Sequence, residues 1–386
     1  MTAPPLSPPG ATPATPATTA TTAITATTAT TASTANPAAP LPVAGWFRRL
    51  RTPSRRISLG LQGGGAHGAF TWGVLDALLE DPRVDFEGLS GSSAGAMNAV
   101  VLANGWMKGG REGARESLAE FWNAVGQQMP IGMVTRGEGE SIRLAPVSKL
   151  LATWAGYFSP SQLNPLDLNP LRDLLERQVD FSRLRAASPF KLFVGATQAS
   201  TGKLRVFREG ELTVDMLLAS ACLPKIHHAI EIDGESYWDG GYCANPAVFP
   251  LFYDCHASDV LLVLLSPLRR EGTPRTVEEI ESRIVELGFQ AHFMREMGIY
   301  ARAAAYTASS FLVMGRLERR LQKMRFHMVD ANDLTTLQRT ETKLIAHGPF
   351  LELLREQGRA RAGSWLGEHF EAVGRRSSLD LQKWFD

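Results

Sequence analysis

The chain has 386 residues, 44% of them hydrophobic and 20% charged, with a formal net charge of +1. That balance suits a globular protein with room for one large or two small domains, and it excludes a wholly disordered chain and a strongly basic nucleic-acid binder. Three cysteines, Cys222, Cys243 and Cys255, without C-x-x-C spacing, argue against a disulfide framework or zinc cluster and for free thiols in a reducing compartment. No apolar run is long enough to span a membrane, and the start lacks the charged and leucine-rich parts of a signal peptide, so the expected location is cytoplasmic.

Residues 1 to about 45 are almost entirely Ala, Thr and Pro, with too little bulky apolar surface to offset ordering entropy. They read as a disordered tail that extends with a basic linker to about residue 54. The basic run Arg48, Arg49, Arg51, Arg55 and Arg56 is a solvated linker or, in a sharper reading, a weak anchor to anionic lipid.

Ile57–Gln62 is a short apolar strand, followed by a Gly63-Gly64-Gly65 turn and a helix with Phe70, Val74 and Leu78 on one face. Phe86–Ser90 is a second strand, running through Gly91-Ser92-Ser93-Ala94-Gly95 into an Ala-rich helix to about Asn104. This alternation predicts an α/β fold with a mostly parallel sheet flanked by helices. Further strands are expected at Lys191–Ala196, Lys203–Phe207, Ser236–Trp238 and Asp259–Leu265, the last apolar almost throughout, as a strand buried on both faces should be.

The domain from 55 to 270 carries an insertion at about 106–189 with Trp122, Met129, Met133, Trp154, Tyr157 and Phe158, which serve either as core or as a lid that meets lipid. Within it, Asn169-Pro170 starts a helix. From 271 to 386 a mainly helical region is expected to pack on that domain. Thr276 with Glu279 fits a capping box, and Ile280, Ile284, Leu287, Ala291 and Met294 form a stripe expected to face the sheet.

Three elements carry chemistry. In Gly91-x-Ser93-x-Gly95, a serine between strand and helix projects its hydroxyl above the sheet; the tight turn needs small neighbours, and the helix beginning at Ala94 directs amides and dipole toward negative charge. Gly63-Gly64-Gly65-Ala66-His67-Gly68 also fits a dinucleotide fingerprint, but Asp85 and Glu87 lie at the start of the next strand rather than its end, so oxyanion-binding amides are the preferred use. Asp239-Gly240-Gly241 places a carboxylate on a glycine turn, either a plain hairpin turn or an acid reaching into a neighbouring site.

In this order, together with Ala219-Ser220-Ala221-Cys222-Leu223-Pro224, the three elements resemble the patatin-like phospholipases over about residues 55 to 270. The resemblance implies a three-layer α/β/α domain and a carboxylic ester hydrolase in which Ser93 attacks an acyl carbonyl and Asp239 is the base. It implies an oxyanion hole of the Gly63, Gly64, Gly65 and Ala94 amides, with Gly68, Gly91, Gly95, Gly240 and Gly241 supporting the turns. No metal or other cofactor is implied; the partners are a lipid or acyl-ester substrate and a peripheral membrane contact, with no nucleic acid. His67 departs from the pattern, since many members have Arg or Lys there to orient a head group or the loop, and Gln62 is a lesser departure. Competing readings are a Ser-His-Asp triad through His256, His327 or His347, hydrolysis of neutral glycerides or polyesters, a dinucleotide-binding module at Gly63–Gly68, and a catalytically dead scaffold.

Overall fold

Alternate residues of one strand enter two different cores, and that alternation explains the layering. Leu261, Val263 and Leu265 pack into a cluster with the helices 68–80, 94–127 and 348–369. Val260, Leu262 and Leu264 pack into a second cluster with Phe252, Phe293, Met297 and Tyr300. A strand whose side chains alternate sides can fill both cores only if the sheet is the middle of three layers.

The computed structural model describes residues 54–127, 135–137, 139–145, 159–270, 272–308 and 315–386. The expected disordered tail, and Met129, Met133, Trp154, Tyr157 and Phe158 of the insertion, lie outside them. Eight described strands form the sheet: β1 (Arg55–Leu61), β2 (Val84–Ser92), β5 (Lys191–Gln198), β6 (Leu204–Arg208), β7 (Ile230–Ile232), β8 (Glu235–Asp239), β9 (Asp259–Val263) and β10 (Arg325–Val329). The order is β10-β9-β1-β2-β5-β8-β7, with β6 also paired to β5. From β10 to β5 all pairs are parallel, and β6, β7 and β8 are antiparallel. A short hairpin of β3 (Thr135–Arg136) and β4 (Arg143–Leu144) stands apart.

The expected strands are all present, with no end shifted by more than two residues. The C-terminal region is not only helical: its segment Arg325–Val329 adds parallel strand β10 to the sheet. Helix α1 (Gly68–Glu80) lies against the helix Gly348–His369, and buried Asp76 ties them through Arg355 and Arg359 while Arg115 adds a third cation. Helix α2 (Ala94–Gln127) runs well past Asn104, interrupted by non-helical backbone at Gly109 and Gly110. Trp122 therefore belongs to the core, with its indole N–H donating to Asn98 Oδ1 at 2.9 Å.

The helix Val277–Ala308 corrects the expected stripe. Ile280 is 43%, Ile284 63% and Leu287 47% exposed, while Glu286, Gln290, Phe293 and Met297 face inward. The polar pair can be buried because each is satisfied: Glu286 binds Arg270 and Arg283, and Gln290 donates to the Pro267 carbonyl. The helix does begin with the Thr276–Glu279 capping box, and Asn169 caps the helix at Pro170 through the Arg172 amide.

Candidate active site

Strand β2 ends at Ser92 and α2 begins at Ala94, so the single residue Ser93 must reverse the chain. It does so with φ +53, a left-handed conformation uncommon for a side chain with a Cβ and held only where surroundings over-determine it. The Ser93 amide donates to the Ser220 carbonyl at 3.1 Å and lies 3.0 Å from the Ser220 hydroxyl. The Ser92 hydroxyl donates to the Ala244 carbonyl at 2.6 Å. Ser93 is half-buried at the carboxyl edge of the sheet, where β2 gives way to α2.

The glycines let backbones meet. A Cβ on Gly95 would strike the Leu61 carbonyl, one on Gly240 the Gly195 carbonyl, one on Gly91 the start of α2, and one on Gly68 the Cβ of Ala94. These contacts bring the three motifs together. Gly63 lies against the serine, since a Cβ there would be 2.9 Å from Ser93 Cβ. Gly65 has φ +58 and its Cα faces the Lys343 carbonyl, so both conformation and space call for glycine.

Strand β8 comes down beside β5 and sets Asp239 opposite Ala196, while Ser92 on the other side of β5 is opposite Gly195. The Asp239 carboxylate accepts the Gly241 amide at 2.7 Å and has the Ser93 hydroxyl close enough to favour its charged form. Its own amide donates to the Cys222 carbonyl at 2.7 Å, and Thr197 Oγ1 donates to its carbonyl at 2.8 Å. Burial pushes its carboxyl up to about 6, against the opposing pull of the Gly241 amide and the Ser93 hydroxyl. An acid so placed is ionised at neutral pH, yet is a stronger proton acceptor than an ordinary aspartate.

Of the expected oxyanion donors, one is already occupied. The Gly63 amide donates to Asn245 Oδ1 at 2.6 Å, and Asn245 Nδ2 returns a 3.4 Å bond to the Gly63 carbonyl. The Gly64, Gly65 and Ala94 amides have no hydrogen-bond partner among the described residues. Three of the expected donors thus remain unpaired among the described residues, with the amino end of α2 behind one of them.

His67 is fully buried, with Nε2 2.7 Å from Thr342 Oγ1, and burial followed by the nearby Lys343 charge holds its basicity well below the usual imidazole range. It carries no charge to a head group. The triad candidates lie elsewhere. His327 Nε2 is 3.1 Å from Asp259 Oδ1 at the amino edge of the sheet, opposite Ser93, and His256 precedes the same edge with its amide on Glu87. His347 precedes the helix at Gly348. Among the described residues none of the three is bonded to Ser93 or Asp239.

Asn245 and Thr342 are residues of the candidate site that sequence reasoning missed. Ser220 stands within the Ala219–Pro224 segment that the motif order singled out; Asn245 and Thr342 carried no signal, because their partners are 182 and 275 residues away in the chain. No group of three or more His, Cys, Asp or Glu suited to a metal occurs among the described residues.

The family model for patatin-like phospholipase matches residues 59–252, about half of the chain and inclusive of all three motifs. No curated protein matches. Among solved structures, VipD from Legionella pneumophila is similar with a TM-score of 0.38 and 16% identity, covering 82% of this chain and 67% of that one.

Proposed function

The chain belongs to the patatin-like phospholipase family, a family of lipid acyl hydrolases, and from that premise we propose that it is a phospholipase A or lysophospholipase-type enzyme working through Ser93 and Asp239. The observation that carries this reading is a serine held at φ +53 on a strand-to-helix turn with the buried Asp239 carboxylate beside it, which has no cation bonded to it among the described residues.

Ser93 Oγ attacks the ester carbonyl as its proton passes to Asp239. The carbonyl oxygen becomes an oxyanion and is received by the Gly64, Gly65 and Ala94 amides. The proton moves from Asp239 to the departing alkoxide, which leaves as an alcohol. Water then attacks the acyl-serine, giving its proton to Asp239, and the free acid departs as Ser93 Oγ regains the proton. No histidine is required, and the geometry favours none.

Neutral glycerides and polyesters present the same ester and are the alternative substrates. A nucleotide at Gly63–Gly68 is disfavoured because β2 ends in Ser92 rather than in an acid that could hold a ribose, and Gly63 lies against Ser93 instead. Contact with lipid is peripheral in this reading, as no described helix is long and apolar enough to cross a membrane. Exposed Leu163, Leu166, Leu168 and Ile226 suit that contact. They lie near the site because the Asn164 carbonyl is 3.0 Å from His228 Nε2, in the turn that follows Cys222. A fluorophosphonate probe followed by a panel of phospholipid, glyceride and short-chain esters tests the reading. Labelling that persists in Ser93→Ala would overturn it.

A further inference from the structure

The glycine loop is held from both ends by residues that come after the family-matched stretch. At its start, Gln62 Oε1 accepts the Leu265 and Ser266 amides at 2.6 and 2.9 Å. Ser266 Oγ in turn receives the Lys343 ammonium at 3.2 Å. At its end, His67 Nε2 meets Thr342 Oγ1. In between, the Lys343 carbonyl lies against Gly65. The circuit Gln62, Ser266, Lys343, Thr342, His67 closes around the three glycines.

Proton placement in this circuit follows from its partners. Thr342 has one hydroxyl proton, and its oxygen is 2.7 Å from the Arg339 carbonyl and 3.2 Å from that of Thr336. Carbonyls only accept, so the hydroxyl donates to one of them and receives the His67 Nε2 proton. The neutral Nε2–H tautomer follows, and it agrees with His67 Nδ1 being buried without a partner among the described residues. A proton on Nδ1 would be stranded there beside the Lys343 charge. The imidazole is therefore a fixed strut rather than a charge carrier.

We propose that the turn Arg339–Ile345 is a clasp that sets the angle of the Gly64 and Gly65 amides toward the oxyanion, with Thr342 as its positioning residue. The proposal rests on the acyl-hydrolase reading for its effect on rate, but not for its effect on the loop. Donors that serve only the transition state lower kcat when misaligned and leave KM alone. Loss of one such donor costs about 10²–10³ in rate, so a loosened loop should cost somewhat less.

The test compares the full chain with Thr342→Val, Thr342→Ser and Ser266→Ala. The measurements are kcat and KM on a p-nitrophenyl ester and hydrogen exchange of the peptide spanning Gln62–Phe70. Thr342→Val removes the acceptor for His67 at nearly constant shape, and should lower kcat about 10- to 100-fold with KM within about twofold. Exchange of the loop amides should quicken by about tenfold. Thr342→Ser should restore both. If Thr342→Val fails to fold, Ser266→Ala decides, since it frees the Lys343 ammonium but leaves the backbone amides on Gln62; a fall of about threefold or more in kcat with faster loop exchange is expected. Folded variants with unchanged loop exchange and unchanged kcat would overturn the clasp. Wild-type protein with no Ser93-dependent hydrolysis would instead sink the acyl-hydrolase reading, and loop exchange alone would still decide the clasp.

Discussion

The two edges of the sheet each hold a buried aspartate, and their surroundings drive them in opposite directions. At the carboxyl edge, Asp239 has the Gly241 amide and the Ser93 hydroxyl as partners, and burial lifts its carboxyl to about 6. At the amino edge, burial of Asp259 would do the same, but His327, the Arg325 guanidinium and the Gly374 amide hold it down at about 2. A carboxylate clamped by a guanidinium cannot take a proton near neutrality; one held by neutral donors in a dry site can. The Asp–His pair that a conventional triad would require is present, but it is a structural fastening of β9 to β10.

The largest effect expected from this contrast is at the carboxyl edge. Ser93→Ala should abolish probe labelling and lower ester hydrolysis by about 10⁴-fold or more, because no other group forms the acyl-enzyme. Asp239→Asn should come close to it, since an amide of nearly the same shape cannot accept the serine proton. The double variant should be little worse than either, as groups acting in one step are not additive. Near-normal turnover by folded Asp239→Asn would refute the pairing.

At the amino edge the same kind of change should act on stability alone. His327→Ala leaves Asp259 with Arg325 and Gly374 but opens a buried site, at a cost of about 2 kcal/mol. A melting temperature lowered by several degrees with kcat per folded molecule within about twofold is the expected outcome. A folded His327→Ala protein without activity would restore the histidine triad.

The pH dependence sharpens the contrast further. If Asp239 is the base, kcat/KM should fall about tenfold per unit below pH about 6, where the carboxylate becomes protonated. Its folded value lies above the ordinary aspartate value of 3.8, so the folded state holds this proton more tightly than the unfolded chain. The contribution favours folding below that value and is lost as pH rises through about 6. Asp239→Asn should therefore gain stability over wild type between pH 4 and 8, by about 3 kcal/mol at most. Equal melting curves across that range would show that the buried charge costs nothing.

The carboxyl edge was readable in the sequence and the amino edge was not. Tight turns need glycine and small residues in short windows, so Gly63–Gly68, Gly91–Gly95 and Asp239–Gly241 announced themselves, and so did the strands feeding them. What escaped was set by distant partners. Strand β10 has Arg325 and His327 in its alternation, and reads as a strand only once Asp259 is seen to receive both. The stripe Ile280, Ile284 and Leu287 misled because Glu286 and Gln290 face inward on partners outside the helix. The Gly63 amide was expected in the oxyanion hole, and only the fold reveals Asn245 occupying it.

The smallest expected effect concerns lipid attachment. The basic run from Arg48 to Arg56 was one candidate anchor, but its last two members have structural partners. Arg55 binds the Phe370 carbonyl and Glu371, and Arg56 lies 3.6 Å from Asp85. Leu166 at 78% and Leu168 at 69% exposure are instead free to enter an interface, and burying even part of a leucine contributes about 1 kcal/mol. On uncharged phosphatidylcholine vesicles, Leu166→Ser with Leu168→Ser should weaken sedimentation by about three- to tenfold at any salt concentration. Replacing Arg48, Arg49 and Arg51 by Gln should change nothing there, and on anionic vesicles should produce only a difference that high salt erases. Leucine variants that bind uncharged vesicles as well as wild type would make the apolar loop a bystander.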